Sequence, residues 1–234
     1  MTDPLEISRR ESSVLRISMR TAAIMLAFTL IFTAMMAGTY KATEPLVAAS
    51  ALAEKLRLIG EVLPPASYDN DLMADAITLA PQPALGLDDE SRLWRARKVG
   101  QPAALVFEAA ARDGYSGRIG LIVAVGADGR MLALRVTAHK ETPGLGDYID
   151  PKKDRNKARP WITQFGKLGF DTVPRDKWRV KKDGGHFDQA AGATISARAV
   201  TNASGRALAW ATENRDKLFA LPANGRFEQH GGKP

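Results

Sequence analysis

Two short stretches hold the residues whose types and spacing could do chemistry. The first is Phe187-Asp188-Gln189-Ala190-Ala191-Gly192-Ala193-Thr194-Ile195-Ser196, ahead of an Ala-rich run of helical character. Gly192-Ala193-Thr194 before a helix offers backbone N–H groups and the positive end of the helix dipole, a natural seat for a phosphate. The small residues Ala190 to Ala193 leave the Thr194 hydroxyl uncrowded, and Asp188 upstream could orient that hydroxyl or a metal-bound phosphate. The plainer reading of the same spacing is a helix N-cap supplied by Thr194 or Ser196. The second stretch is Glu141-Thr142-Pro143-Gly144-Leu145-Gly146. Pro143 fixes one backbone angle, while Gly144 and Gly146 permit positive φ and close backbone approach. A flat ligand could lie against such a loop, and a tight turn after a strand is the plain alternative.

Other chemistries are excluded or start low. The 234-residue chain has no cysteine, which rules out disulfides, thiolate nucleophiles and cysteine-ligated zinc or iron–sulfur clusters within it. Gly114, Gly117 and Gly120 have the wrong spacing for a dinucleotide fingerprint, and no P-loop occurs. No G-x-S-x-G elbow is present. His139, His186 and His230 lack the nearby carboxylates and histidines of a metal site. The formal net charge of +7 first suggests an anionic partner, whether nucleic acid, lipid headgroups or a phosphorylated cofactor.

The elements that must position these loops begin with an anchor. Thr21 to Tyr40 carries no charge. At ~1.5 Å per residue such a run spans about 30 Å, the thickness of a bilayer's hydrocarbon core. It exceeds the apolar region of a cleaved signal peptide, and AGTYKATEP is a poor cleavage site. Arg9, Arg10, Arg16 and Arg20 precede it and Lys41 alone closely follows. The positive-inside rule then makes residues 1–20 a cytoplasmic tail and places the rest outside the inner membrane, away from nucleic acid.

Beyond the anchor, Leu46, Ala49, Leu52, Ala53, Leu56 and Ile59 recur at helical spacing from Glu44 to Val62. Pro45 suits the first turn of that helix and Pro64-Pro65 stops it. Tyr68 to Asp71 reads as a turn and Arg92 to Val99 as a basic edge strand. Strands are expected over Ala103–Ala109, Ile119–Val125 and Met131–Ala138, the last two joined by a hairpin at Asp128-Gly129. A helical turn is expected over Trp161–Phe165, a strand over Trp178–Val180 and a helix over Ala197–Asn214. The cations of Lys152 to Arg159 read as a solvated face, with docking toward acidic partner loops or anionic headgroups as the alternative, and Pro222 to Pro234 reads as a frayed, flexible tail. A hairpin-rich centre between helices gives an α+β fold with an antiparallel sheet and flanking helices.

FDQAAGATIS followed by an Ala-rich helix resembles the covalent flavin-attachment motif of FMN-binding domains in membrane electron-transport complexes. HKETPGLGDYI resembles the companion loop, and YDN and GYSGRIGLIVAV add to the likeness. Together they resemble the G-subunit family of Rnf-type (Rsx-type) ion-translocating electron transport complexes. The C-type subunits of sodium-pumping NADH:quinone reductases are more distant relatives. The resemblance implies a transmembrane anchor at 21–40, a connecting region at 41–100 and an FMN-binding domain at 101–221. It implies FMN joined to the Thr194 hydroxyl by a phosphoester, with Gly192, Ala193, Ile195, Ser196 and Asp188 around the attachment. Glu141, Thr142, Gly144, Leu145 and Gly146 would line the isoalloxazine, Leu145 on its face. A Mg²⁺-dependent periplasmic flavin transferase would supply the FMN portion from FAD, and the other membrane subunits would be partners. The chain would relay electrons in a complex coupling NADH and ferredoxin to ion movement, without catalysing a reaction alone. Ala191 departs from the motif, where the family often has Ser or Thr. The rival reading is an anchored module that binds a flavin or other phosphorylated ligand reversibly.

Overall fold

The computed structural model describes residues 4–228. The chain divides into two compact units, residues 1–54 and 55–234. The first unit is formed by helix α1 (Pro4–Val62), whose last turns belong to the second. Arg16–Val47 within α1 is 32 residues long with a mean hydropathy of 1.9 and no buried position, long and apolar enough to cross a membrane. The helix expected to start afresh at Glu44 does not. Instead α1 runs through Pro45, because one missing N–H is outweighed by the Ala- and Leu-rich turns that follow.

The second unit is built on a sheet of six strands: β1 (Ala76–Leu79), β2 (Ser91–Lys98), β3 (Gln101–Gly114), β4 (Gly117–Gly126), β5 (Met131–Ala138) and β6 (Arg226–Phe227). Their order is β5-β4-β3-β2-β1-β6, antiparallel throughout except that β6 runs parallel to β1. Asp128-Gly129 turns β4 into β5, with Gly129 at φ 78°. Helix α2 (Thr194–Ala220) covers one face, where Val200, Ala203, Ala207 and Trp210 meet Phe107, Leu121, Val123 and Leu134. The final turns of α1 cover the other: Leu58, Ile59 and Val62 pack with Trp94, Val106, Ile122 and Ala124. Coverage on both faces explains why β3 and β4 read as continuous apolar runs rather than alternating ones.

Three expectations change. Arg92 to Val99 does not form an edge, since β2 lies between β1 and β3. Its buried Arg95 reaches across to α2, donating to Leu218 O (3.0 Å), to Leu221 O and to the Asp75 carboxylate. Arg97 donates to Phe219 O (3.1 Å) and to the same carboxylate (2.7 Å). Trp178–Val180 forms no strand: Val180 makes an isolated bridge to Phe187, following a 3₁₀ turn over Arg175–Lys177. Within the expected frayed tail, Arg226–Phe227 adds to the sheet edge because Phe227 buries its ring against Trp210 (5.9 Å between centroids). Residues 229–234 of that tail, His230 among them, lie outside the described residues.

Candidate functional site

The segment before α2 is fixed at its ends and open between them. Phe187 is buried, stacked on Phe165 (4.6 Å) and tilted against Trp178 (5.0 Å). The Asp188 backbone is held from both sides: its N–H donates to Gln164 Oε1 (2.8 Å) and its carbonyl accepts from the Trp161 indole (2.6 Å). The Tyr148 hydroxyl accepts the Ala190 N–H (3.1 Å) and donates to Ala193 O (3.3 Å), bracketing the loop. Burial pushes the Tyr148 phenol up from its ordinary value, partly offset by the Ala190 N–H. Gly192 takes φ 82°, a left-handed conformation that suits glycine.

The helix that follows carries no N-cap side chain. The cap position belongs to Ala193, which has no acceptor, so neither Thr194 nor Ser196 caps α2. No acidic residue occupies the first turn. The first N–H groups of α2 therefore lack the usual side-chain partner and sit at the positive end of the dipole. Thr194 is the first helical residue and half-buried, and among the described residues its hydroxyl makes no hydrogen bond. Ser196 differs: its buried hydroxyl donates to the Glu141 carboxylate.

Glu141 joins three segments. The residue is 3% exposed, and its carboxylate accepts the Ser196 hydroxyl on α2 and the N–H groups of Ser116 (2.9 Å) and Tyr115 (3.3 Å) on the β3–β4 turn. Its own N–H donates to His139 Nδ1 (3.2 Å). The loop then turns at Thr142, whose carbonyl accepts from Leu145 and Gly146 (both 3.1 Å), with Gly144 at φ 75°. Gly146 lies against this knot: a Cβ there would stand 2.6 Å from Ser196 Oγ and 3.1 Å from Glu141 Oε2. Only glycine fits.

These contacts frame an open groove of about 250 Å³. Of the residues singled out from sequence, Glu141, Thr142, Leu145, Gly146, Gly192, Ala193, Ile195 and Ser196 line it. Thr194 lies between lining residues, on the first turn of α2. Gly144 and Asp188 are placed elsewhere, on a larger neighbouring cleft, and the Asp188 carboxylate pairs with Lys181 (2.6 Å). Leu145 is 55% exposed, Ile195 44% and Tyr115 67%, so three large side chains show apolar surface at one groove. The arrangement suits a flat ring lying on exposed apolar side chains, tethered by a phosphate at a helix start.

Sequence reasoning did not single out Tyr115, Tyr148, Trp161 or Gln164 as site residues. Tyr115 lies in the GYSGRIGLIVAV stretch and within Asp113–Gly117, which a turn explains sufficiently. The other three act through backbone atoms of a loop far along the chain, which no spacing rule reveals. His186 packs edge-on against Phe187 (5.3 Å), and among the described residues no three metal-capable side chains cluster.

Comparison with known proteins accords with this geometry. Residues 114–209 match the FMN-binding domain family, and residues 13–62 match the RnfG N-terminal region. The chain is 41% identical over 211 residues to the G subunit of the ion-translocating oxidoreductase complex of Pseudomonas aeruginosa, covering 90% of this chain and 96% of that protein. It is 42% identical over 205 residues to the corresponding protein of Cronobacter sakazakii (88% and 94%) and 38% over 197 residues to that of Shewanella baltica (84% and 91%). With such identity along nearly its whole length, the chain belongs to the RnfG family, the G subunits of Rnf-type ion-translocating oxidoreductase complexes.

Proposed function

We propose that this chain is a membrane-anchored flavoprotein subunit carrying FMN on the Thr194 hydroxyl, and that it passes electrons between redox partners of an ion-translocating complex. The observation that carries the reading is the unbonded Thr194 hydroxyl at an uncapped helix start, beside a groove edged by exposed Leu145, Ile195 and Tyr115. When bound, FMN supplies the one- and two-electron chemistry that the protein's own side chains lack. The chain's part is placement. The first N–H groups of α2 would hold the phosphate, Gly192 would let the backbone approach it, and Leu145 and Ile195 would offer apolar surface to the ring. Glu141 lines the groove, and its carboxylate ties hairpin, loop and helix into one frame.

Attachment forms a bond between the Thr194 oxygen and the FMN phosphorus of FAD. The pyrophosphate bond breaks, AMP leaves and the hydroxyl proton is lost. A Mg²⁺-dependent flavin transferase supplies the metal and the base, and the chain supplies the acceptor hydroxyl. Arg16–Val47 anchors the chain in the inner membrane with its N-terminus cytoplasmic, so transferase and flavin meet residues 55–228 on the periplasmic side. A covalent tether suits that place, because an untethered cofactor of this size would diffuse away.

Intact mass and in-gel flavin fluorescence test the proposal on protein produced with the transferase. One added FMN is expected in the wild type and in Ser196→Ala, and none in Thr194→Val. A wild type without the added mass, or a Thr194→Val variant that keeps it, sinks the assignment.

A further inference from the structure

Across the Asp188–Ala191 segment from the groove lies the larger cleft, of about 680 Å³. Tyr148 and Trp161 line it, backed by buried Phe165 and Phe187. Trp161 stands edge-on to Tyr148 (5.4 Å) and to Phe165 (5.3 Å), and Phe165 stacks on Phe187. Lys153, Arg155 and Arg159 stand on its rim, all exposed. The loop presenting them is built, not loose. Buried Asp154 accepts the N–H groups of Trp161 (2.6 Å) and Asn156 (2.9 Å), and Asn156 accepts that of Arg159 (3.0 Å).

Charge use in the cleft is lopsided. Each lining acid is engaged within the chain: Asp147 with the Gly144 N–H (2.9 Å), Asp154 as above and Asp188 with Lys181. Among the described residues the side chains of Lys153, Arg155 and Arg159 make no ion pair or hydrogen bond. Three cations held outward around an aromatic floor, on the wall of the segment that leads to Thr194, form a surface for an acidic polypeptide. Arg and Trp are residues that anchor protein interfaces, and rim cations speed and orient the approach of an acidic partner. The cleft is recessed between loops, whereas planar lipid headgroups would be met by a flat or protruding basic face. A small phosphate ligand would be met by cations converging on an enclosed point, not spread along an open rim.

We propose that this cleft receives an acidic segment of a neighbouring subunit and so sets that subunit's redox centre beside the flavin. The inference rests on the reading of the chain as a flavin-bearing subunit. The full-length chain, produced with the other subunits and the transferase, tests it through recovery of those subunits on the tagged chain and through the flavin band. With Lys153→Glu, Arg155→Glu and Arg159→Glu combined, the flavin band stays while subunit recovery falls about tenfold or more, as like-charge juxtaposition dictates. The corresponding triple Gln variant falls less, and its recovery depends less on salt than that of the wild type. Recovery equal to wild type in the Glu variant overturns the inference. So does loss of the flavin band with recovery intact, which assigns the cleft to the transferase. A defect seen only with anionic phospholipid present assigns it to headgroups and overturns it likewise. If the Glu variant loses both, the Gln variant decides: a retained band with undiminished, equally salt-sensitive recovery overturns the inference. A wild type without a flavin band instead refutes the flavin assignment and leaves the recovery comparison readable.

Discussion

The two ends of α2 are treated in opposite ways. At the C-terminus, where carbonyls lack helical partners, Arg95 and Arg97 reach in from β2 to the carbonyls of Leu218, Phe219 and Leu221. Asp75 in turn balances both guanidiniums. At the N-terminus, where N–H groups lack partners, the cap position holds an alanine and the first turn holds no acid. A helix end without partners has unmet bonding capacity. The C-terminal end uses that capacity for the fold, by stitching α2 to the sheet. The N-terminal end leaves it unused by any capping side chain, with the unbonded Thr194 hydroxyl beside it, where the proposed function seats the FMN phosphate. On the proposed function, stability and function occupy opposite ends of one element.

The contrast breaks first if the ends respond alike to mutation. Thr194→Val should abolish covalent flavin entirely, read by mass, while its unfolding free energy stays within about 0.5 kcal/mol of wild type. Asp75→Ala should do the reverse. It leaves buried Arg95 without its counter-charge, costing about 3 kcal/mol in denaturant unfolding, while the folded fraction still accepts flavin. Gly146→Ala tests the knot between them: its Cβ would crowd Ser196 and Glu141, with a cost of about 1–3 kcal/mol and a lowered flavin yield. Ala193→Ser sharpens the comparison in the other direction. A hydroxyl at the cap position should gain about 1 kcal/mol and slow flavin attachment, because it would occupy the N–H groups proposed to hold the phosphate.

The smallest effect belongs to pH. Burial raises the Tyr148 phenol above its unfolded value of about 10, so the native state holds this proton more tightly. Its contribution to stability is whole below pH ~10 and is lost as pH rises through the folded value. Ionisation also removes the donor to Ala193 O, so Tyr148→Phe should flatten the alkaline limb of a stability–pH curve.

Much of the fold was legible where one local rule sufficed. Met131–Ala138 and Trp161–Phe165 carry the bounds that alternation and punctuation suggest. β2 was misread as an edge because its charges look solvent-facing, whereas Arg95 is buried against the end of α2. β6 is two residues long and exists because β1 offers an edge and Phe227 a ring to bury, neither of which its own sequence announces. Pro45 signalled a helix start because a proline is tolerated there, but α1 absorbs it.

The sequence by itself determined the candidate hydroxyls, the glycine-rich loops, the apolar segment long enough for a bilayer and the absence of thiol chemistry. These follow from residue types, local spacing and segment length. It could not decide between Thr194 as cap and Thr194 as acceptor, since both need the same residues at the same spacing. Tertiary structure removes the first reading: Ala193 takes the cap position, Ser196 is drawn to Glu141, and the Thr194 hydroxyl is left unbonded, as the proposed acceptor role requires. The Glu141 carboxylate that meets Ser196 lies 55 positions away, and the Ser116 amide it also binds lies 25 from it. Contacts of that separation are fixed by how the sheet and α2 pack, and no local pattern encodes them.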